Sequence, residues 1–225
     1  MKKPILLLFC AGFMATGFTQ VVKWDSTYRP GNYDLKVEQF RSYPKTPGDI
    51  IFLGNSITER NDWSELLSVP NAKNRGISAD ISFGVLQRLD EVTSRQPAKV
   101  FVLIGINDIS RNIPDSIILR NYRLIIDRIH KESPKTRVYF HTLLPVNNEF
   151  GKRGQFNKDE HIACVNAGLK AMAKEKNITV IDLHDHFLNA EGKLDKKYTV
   201  DGLHLNAAGY QVWKKILEEG HYLDK

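Results

Sequence analysis

Three short motifs in this chain contain the residue types that acyl transfer from an ester requires. They are Gly-Asn-Ser-Ile-Thr at residues 54–58, Gly-Ile-Asn-Asp at residues 105–108 and Asp-Gly-Leu-His at residues 201–204. A serine hydroxyl can attack a carbonyl carbon, an imidazole can take the proton of that hydroxyl, and an amide N–H can stabilise the developing oxyanion. The motifs therefore predict a nucleophile, an amide donor, and a base with the acid that orients it.

Each of these residues also has a structural interpretation when it is considered alone. Ser56 followed by Glu59 matches a capping box at the start of a helix. When Ser56 is considered alone, capping and catalysis are equally good interpretations. Asp201 suits a turn, and His204 suits a surface position before a helix. Catalysis is favoured because all the required groups occur together in one chain. For Asp108, which directly follows the amide of the second motif, we expect a structural hydrogen-bonding role instead.

The segments around these motifs predict an α/β fold. Short apolar runs alternate with longer segments of helical period from residue 49 onward, which is typical of strand–helix–strand units. The predicted strands cover residues 49–53, 72–75, 100–104, 137–143 and 178–183. The third run is apolar on both faces, as expected for a central strand with helices on both sides. We predict a three-layer αβα sandwich with a five-stranded parallel sheet in the flavodoxin-like order 2-1-3-4-5.

This strand order would bring the candidate residues together. Ligands of open parallel sheets bind beyond the carboxyl ends of the strands. Ser56 follows the first predicted strand, Gly76 the second and Asn107 the third. Because these three strands are neighbours in the predicted order, the three residues should converge at one edge of the sheet.

Core-facing helices are predicted where apolar residues recur at intervals of three and four. Four such stripes are Tyr33, Val37 and Phe40; Val85, Leu89 and Val92; Ile118, Tyr122, Ile125 and Ile129; and Val212, Trp213, Ile216 and Leu217. Asn206 is placed to cap the last helix, directly behind the third motif. We expect Trp63 to pack a helix against the sheet, with stacking on a sugar ring as the alternative.

The beginning of the chain resembles an export signal. Two lysines after Met1 precede an apolar run that extends to about residue 17, which predicts a signal peptide at residues 1–20 and a single domain at residues 21–225. The run is shorter than the ~20 residues of a spanning helix, so we expect no stable membrane insertion after cleavage. Lipid attachment at Cys10 is the alternative. The predicted location is secreted or periplasmic, and Cys164, then the only cysteine, is expected to be a buried core residue.

Charge and composition exclude some other functions. The chain of 225 residues is 42% hydrophobic and has a net charge of +6, with basic residues scattered among acidic ones. Basic pairs such as Lys152 and Arg153 are expected in solvated loops, so nucleic-acid binding is not indicated. Asp182, His184 and His186 are candidate metal ligands, but their spacing matches no closed metal site. The loop at residues 145–156 is a candidate lid or a surface loop.

Four sequence blocks, at residues 51–58, 74–78, 105–108 and 201–204, follow the order and spacing of a known family. They resemble the SGNH hydrolases, also called GDSL esterases and lipases, and more closely their platelet-activating-factor acetylhydrolase-like branch. One difference is Asn55, because the first block of that family most commonly has aspartate there. Asparagine keeps the size and hydrogen-bonding reach of aspartate but lacks its charge.

The resemblance implies a role for each candidate residue. Ser56 would be the nucleophile, His204 its base, and Asp201 the acid that orients the imidazole. The N–H of Ser56, the N–H of Gly76 and the side-chain amide of Asn107 would form the oxyanion hole. The resemblance implies neither a cofactor nor a metal.

The resemblance and the predicted export together imply an activity. We expect an exported serine esterase that removes small acyl groups, foremost acetyl, from a carbohydrate or similar alcohol, so that its partner is a small-molecule or glycan ester. The alternatives are a lysophospholipase or thioesterase acting on longer acyl chains, and a binding module that holds acylated glycans without cleaving them. The oligomeric state is left open by the sequence.

Overall fold

A five-stranded parallel sheet forms the centre of the protein, in a computed structural model that describes residues 23–46 and 48–224. Its strand order is β2-β1-β3-β4-β5. The strands are β1 Ile50–Gly54, β2 Ala72–Gly76, β3 Lys99–Leu103, β4 Arg137–His141 and β5 Thr179–Ile181. The predicted α/β class, parallel sheet and strand order are confirmed.

Strand β4 is shorter than its apolar run at residues 137–143 predicts. The backbone N–H and C=O of Leu143 pair with the side-chain amide of Asn166, at 2.7 and 3.0 Å. These bonds replace a strand partner, so the ladder ends at His141 although Leu143 is buried. A side chain from a distant helix thus ends the strand, which the local sequence does not reveal.

Helices surround the sheet. The α-helices of the described residues are α1 Tyr33–Ser42, α2 Ser56–Glu59, α3 Trp63–Leu67, α4 Ser82–Gln87, α5 Asp90–Thr93, α6 Ile106–Ser110, α7 Asp115–Glu132, α8 Asp159–Met172 and α9 Ala207–Glu219. Short 3₁₀ turns occur at Asn148–Phe150, His184–Phe187 and Lys196–Tyr198. The stripe of Val85, Leu89 and Val92 is fully buried as predicted, but it belongs to two short helices with Leu89 between them.

Aromatic packing shows which helices cover each face of the sheet. On one face, Trp63 of α3 stacks on Phe52 with ring centroids 4.0 Å apart, and Trp213 of α9 lies 4.8 Å from Trp63. On the other face, Tyr122 of α7 packs against Phe140 at 5.0 Å. Trp63 is 1% exposed, so it is a core residue and the alternative of stacking on a sugar is wrong.

The prediction that Cys164 is buried is wrong. Its thiol is free and the residue is exposed on α8. The buried face of this helix is formed by Ile162, Val165 and Leu169. Cys164 lies between two of these positions along the chain and therefore faces outward.

The predicted signal peptide at residues 1–20, with Cys10, lies outside the described residues. Among the residues that are described, no helix combines the length and the apolar character needed to cross a membrane.

Candidate active site

The first motif turns the chain sharply from β1 into α2. Asn55 caps α2 by accepting a hydrogen bond from the backbone N–H of Ile57 at 3.0 Å. Ser56 is the first residue of the helix. Gly54 precedes this turn, and a Cβ there would clash with the carbonyl oxygen of Leu103 on β3 and with the Thr58 side chain. The turn therefore needs glycine at residue 54, and it places the hydroxyl of Ser56 at the carboxyl edge of the sheet.

A chain of hydrogen bonds joins the first motif to the last one. The Oγ of Ser56 lies 2.9 Å from Nε2 of His204. The Nδ1 of the same imidazole lies 2.7 Å from Oδ2 of Asp201. The structure thus brings the serine, histidine and aspartate into the connected order that the sequence predicts, across 148 residues of chain.

The loop that carries Asp201 and His204 is held by its own backbone. Oδ1 of Asp201 accepts the N–H groups of Leu203 at 3.1 Å and His204 at 2.8 Å. Thr199 donates its hydroxyl to the carbonyl of His204 at 2.8 Å. Gly202 has φ +77°, a conformation that favours glycine, and lies against the carbonyl of Asn147. These contacts hold the loop, and with it the imidazole, at the carboxyl edge of the sheet.

The environment of the imidazole favours its neutral form. Burial lowers the pKa of His204 below its usual value, and the charges of Arg60 and Arg153 lower it further, while Asp201 opposes the shift. Burial raises the pKa of Asp201, but hydrogen bonds from the backbone N–H and the imidazole of His204 outweigh burial, so this pKa is lowered. At neutral pH the site therefore holds an anionic carboxylate and a neutral imidazole that can accept a proton.

Asn107 of α6 presents a side-chain amide at the same edge. Its Nδ2 donates to the backbone carbonyl of Asp80 at 2.9 Å, which orients the amide and leaves its second hydrogen available. Gly105, with φ +130°, forms the turn into α6. The next residue, Asp108, is fully buried, and it accepts the N–H of Ser82 at 3.0 Å. Burial raises the pKa of Asp108 to about 7. Asp108 thus has the structural role expected from the sequence.

Gly76 requires a correction to the predicted oxyanion hole. Its N–H donates to Oδ1 of Asn74 at 2.8 Å and is therefore already paired. A Cβ at this position would clash with the backbone of Glu59 and would lie 2.8 Å from the carbonyl oxygen of Asn55. The glycine lets the end of β2 pack closely against the turn that holds Ser56, and its N–H is not presented to a substrate.

Within the described part of the chain, Ala79 offers an unpaired backbone N–H in the turn that follows β2. Ala79 lies in a turn closed by the N–H of Asp80 and the carbonyl of Ile77, 3.1 Å apart. Its φ is +63°, and among the described residues its N–H has no hydrogen-bond partner. The neighbouring Asp80 carbonyl holds the amide of Asn107. None of the sequence motifs points to Ala79; the available signal was a small residue in a polar turn directly before Asp80.

Arg153 is a second residue that sequence analysis missed. Its Nη2 lies 2.9 Å from Oδ2 of Asp201, the same oxygen that contacts His204. The loop at residues 145–156 is also tied to the last motif by the N–H of Asn147, which donates to the carbonyl of Gly202 at 2.8 Å. The basic pair suggested a purely solvated loop. The contact with Asp201 shows that this interpretation is wrong for Arg153.

The histidine-rich segment after β5 forms separate local contacts. Asp182 accepts hydrogen bonds from Thr142 at 3.0 Å and from Lys170, and Nδ1 of His184 lies 3.1 Å from Asp185. Within the described part of the chain, no three or more His, Cys, Asp or Glu side chains form a group that could hold a metal ion.

Comparison with known proteins identifies a family for the chain. The model of the GDSL-like lipase/acylhydrolase family matches residues 52–212. The chain is 28% identical to platelet-activating factor acetylhydrolase IB subunit alpha2 of Rattus norvegicus, over 76% of this chain and 75% of the relative.

Solved structures show the same fold. One from Streptococcus pneumonia, described as a platelet activating factor, superposes with a TM-score of 0.77 at 28% identity and covers 84% of this chain and 92% of its own. The acetyl xylan esterase AlAXEase has a TM-score of 0.62 at 20% identity, covering 76% and 98%.

Proposed function

The chain belongs to the GDSL-like lipase/acylhydrolase family and is a carboxylic ester hydrolase, and we propose that it is an exported serine esterase that removes small acyl groups, foremost acetyl, from a carbohydrate or similar alcohol. The observation that carries the proposal is the hydrogen-bonded series Ser56–His204–Asp201, with distances of 2.9 and 2.7 Å. This is the arrangement that nucleophilic acyl transfer requires.

Acyl transfer begins when Ser56 attacks the ester. Neutral His204 takes the proton from Oγ of Ser56 as this oxygen forms a bond to the carbonyl carbon. Asp201 holds the imidazole through Nδ1 and stabilises the imidazolium that results. The carbonyl oxygen becomes an oxyanion. Its proposed donors are the N–H of Ser56, which is unpaired within α2 because it is the first residue of the helix, the amide of Asn107 and the N–H of Ala79.

Two further steps complete the reaction. The imidazolium of His204 gives its proton to the leaving alcohol oxygen as the carbon–oxygen bond breaks, which leaves the acyl group on Ser56. Water then attacks this acyl-enzyme while His204 accepts a proton from the water. Collapse of the second intermediate releases the carboxylic acid, and the proton returns to Ser56.

The acetyl part of the proposal is supported by the relatives. The mammalian protein that is 28% identical is named an acetylhydrolase. An esterase of acetyl xylan shares the fold, although at 20% identity this likeness concerns the fold alone.

Two observations favour a second candidate, an enzyme for lipid esters. The first is the platelet-activating-factor name of that relative. The second is the exposure of Phe150 and Val200, at 39% and 58%, because Val200 adjoins Asp201 and Phe150 packs against Gly202.

A chain-length series tests the acyl preference. The mature protein is assayed with p-nitrophenyl esters from acetate to octanoate, and the acetate and hexanoate esters of a sugar are compared by released alcohol. We expect kcat/KM to fall steeply as the acyl chain lengthens. A rise toward octanoate would overturn the acetyl assignment and favour the lipid candidate.

The export part of the proposal rests on the predicted signal peptide at residues 1–20. Expression of the full chain in a bacterial host, followed by fractionation and N-terminal sequencing, tests it. We expect the mature protein in the periplasm or medium, beginning between residues 16 and 21. Retention of an intact N-terminus in the cytoplasm would contradict export.

A further inference from the structure

The turn at residues 77–80 supports two of the donors proposed for the oxyanion. It contains the backbone N–H of Ala79, and the carbonyl of Asp80 holds the amide of Asn107 at 2.9 Å. Its backbone is closed by the N–H of Asp80 and the carbonyl of Ile77, 3.1 Å apart. Two charged side chains, one on each side, connect this turn to the turn that carries the nucleophile.

Arg88 makes the first connection. It directly follows α4 and is fully buried. Its Nε donates to Oδ2 of Asp80 at 3.0 Å, and its Nη2 donates to the carbonyls of Gly54 at 3.1 Å and Arg75 at 3.0 Å. Gly54 ends β1, two residues before Ser56. One guanidinium thus contacts the oxyanion turn, the end of β2 and the start of the nucleophile turn.

Glu59 makes the second connection, on the opposite side of the turn. It is the last residue of α2, the helix that begins at Ser56. Its Oε2 accepts the backbone N–H of Ser78 at 2.8 Å and also the hydroxyl of Ser78. Its Oε1 lies 3.0 Å from Nζ of Lys36 on α1. The residue before Ala79 is therefore tied to the helix of the nucleophile.

The distance between donors and nucleophile matters for the reaction. Oxyanion stabilisation depends on donors that are already in place when the negative charge develops. A displacement of about 1 Å at a reacting centre can cost about 10²-fold in rate. Arg88 and Glu59 contact the two turns rather than the reacting atoms, so they act on the reaction through the placement of Asn107 and Ala79.

We propose that Arg88 and Glu59 are positioning residues of ester hydrolysis, which together hold the oxyanion turn at a fixed distance from Ser56. Arg88 acts through Asp80, whose carbonyl orients the amide of Asn107. Glu59 acts through Ser78. The proposal rests on the proposed function, since it concerns the donors that stabilise the oxyanion of the same reaction.

Two buried arginines allow a matched kinetic test with p-nitrophenyl acetate. Arg88→Lys keeps a cation beside Asp80 but lacks the planar fork, so kcat and kcat/KM should fall together by about 10- to 10²-fold. The acidic limb of the pH profile should stay in place, because His204 is untouched. Arg95→Lys is the control, since Arg95 is also buried but donates to the carbonyl of Pro44 at 2.6 Å. It should keep the wild-type kcat, and a wild-type kcat in Arg88→Lys would overturn the proposal.

A double variant distinguishes positioning from general support of the fold. Residues that act through one another have effects that do not multiply. Once Asn107→Ala has removed the amide, adding Arg88→Lys should lower kcat by a clearly smaller factor than it does in the wild type. If the two losses multiply in full, Arg88 does not act through Asn107 and the proposal is refuted.

Glu59 tests the other side of the turn at a partly exposed position, and it decides the matter if Arg88→Lys does not fold. Glu59→Ala removes the contact with Ser78 and should lower kcat, whereas Glu59→Gln can still accept the N–H of Ser78 and should retain part of the activity. Lys36→Met removes the ion pair of Glu59 but leaves the contact with Ser78, so it should keep the wild-type kcat. A wild-type kcat in Glu59→Ala would contradict the proposal.

Nitrogen-15 NMR separates this proposal from the proposed function, because it needs no turnover. The side-chain amide signals of Asn107 are identified by their loss in Asn107→Ala. In Arg88→Lys these signals and the N–H signal of Ala79 should shift, and in Arg95→Lys they should not. If the wild type hydrolyses no ester, the proposed function fails and the spectra still test the placement of the donors. Unchanged signals in Arg88→Lys would refute the positioning role even where kcat falls.

Discussion

Replacing Arg153 by glutamine should shift the pH dependence of ester hydrolysis. In the structure, Nη2 of Arg153 and Nδ1 of His204 contact the same oxygen of Asp201, at 2.9 and 2.7 Å. The arginine therefore offsets part of the negative charge that would stabilise the imidazolium. Without this cation, Asp201 acts more strongly on His204, and the pKa of the imidazole rises.

The size of the shift follows from the exposure of the pair. The side chains of Arg153 and Asp201 are 39% and 23% exposed, so solvent screens their interaction. Exposed pairs contribute about 0.2–1 kcal/mol, and one pKa unit corresponds to about 1.4 kcal/mol. The pKa of His204 should thus rise in Arg153→Gln, and the imidazolium should gain no more stability than one such exposed pair contributes. Because only the neutral imidazole accepts a proton, activity is lost on the acidic side, and it changes little well above the pKa.

The assay is kcat/KM for p-nitrophenyl acetate between pH 4.5 and 9, which reports the titration of the free enzyme. The ascending limb of Arg153→Gln should lie at higher pH than that of the wild type, with Arg153→Lys between them. Arg120→Gln, at an exposed arginine of α7, is the control and should follow the wild type. An unmoved limb, or one displaced to lower pH, would refute this role of Arg153, and a uniform loss at all pH values would indicate only a structural contact.

Three further variants test the proposed oxyanion hole and the turns that build it. Asn107→Ala should lower kcat about 10²- to 10³-fold with little change in thermal stability, because one donor to the oxyanion is lost; a loss below threefold in a kinetic assay would contradict this. Ala79→Gly should keep kcat and raise stability by about 1 kcal/mol, because alanine at φ +63° is strained; a lower Tm would count against the assigned backbone. Gly76→Ala should lower the Tm and the activity together, because its Cβ would clash with the backbone of Glu59; calorimetry showing wild-type stability would disprove the packing role.

The fold could be predicted from the sequence because apolar runs alternate clearly with segments of helical period. The buried pattern of β3 predicts a central strand, and the motifs at three neighbouring strand ends predict a shared edge. The candidate site could be predicted for a related reason. Ser56, His204 and Asp201 are positioned by short local turns whose glycine and asparagine residues are visible in the sequence.

The remaining details depend on contacts that no local pattern reveals. The N–H of Gly76 is taken by a side chain two residues away, and the available donor follows from the sign of φ at Ala79. Cys164 faces outward because the phase of α8 is set by its packing. Arg153 reaches Asp201 only after a loop 48 residues earlier in the chain folds against the last motif.

The measurement that tests the central claim most directly compares the wild type with Ser56→Ala on p-nitrophenyl acetate, with intact-mass analysis after rapid acid quenching. We predict that the wild type carries one acetyl group during turnover, and that Ser56→Ala carries none and is slower by at least about 10³-fold. Thermal unfolding serves as the control for folding. Wild-type turnover by Ser56→Ala, or acetylation of that variant at the wild-type level, would contradict the assignment of Ser56 as the nucleophile.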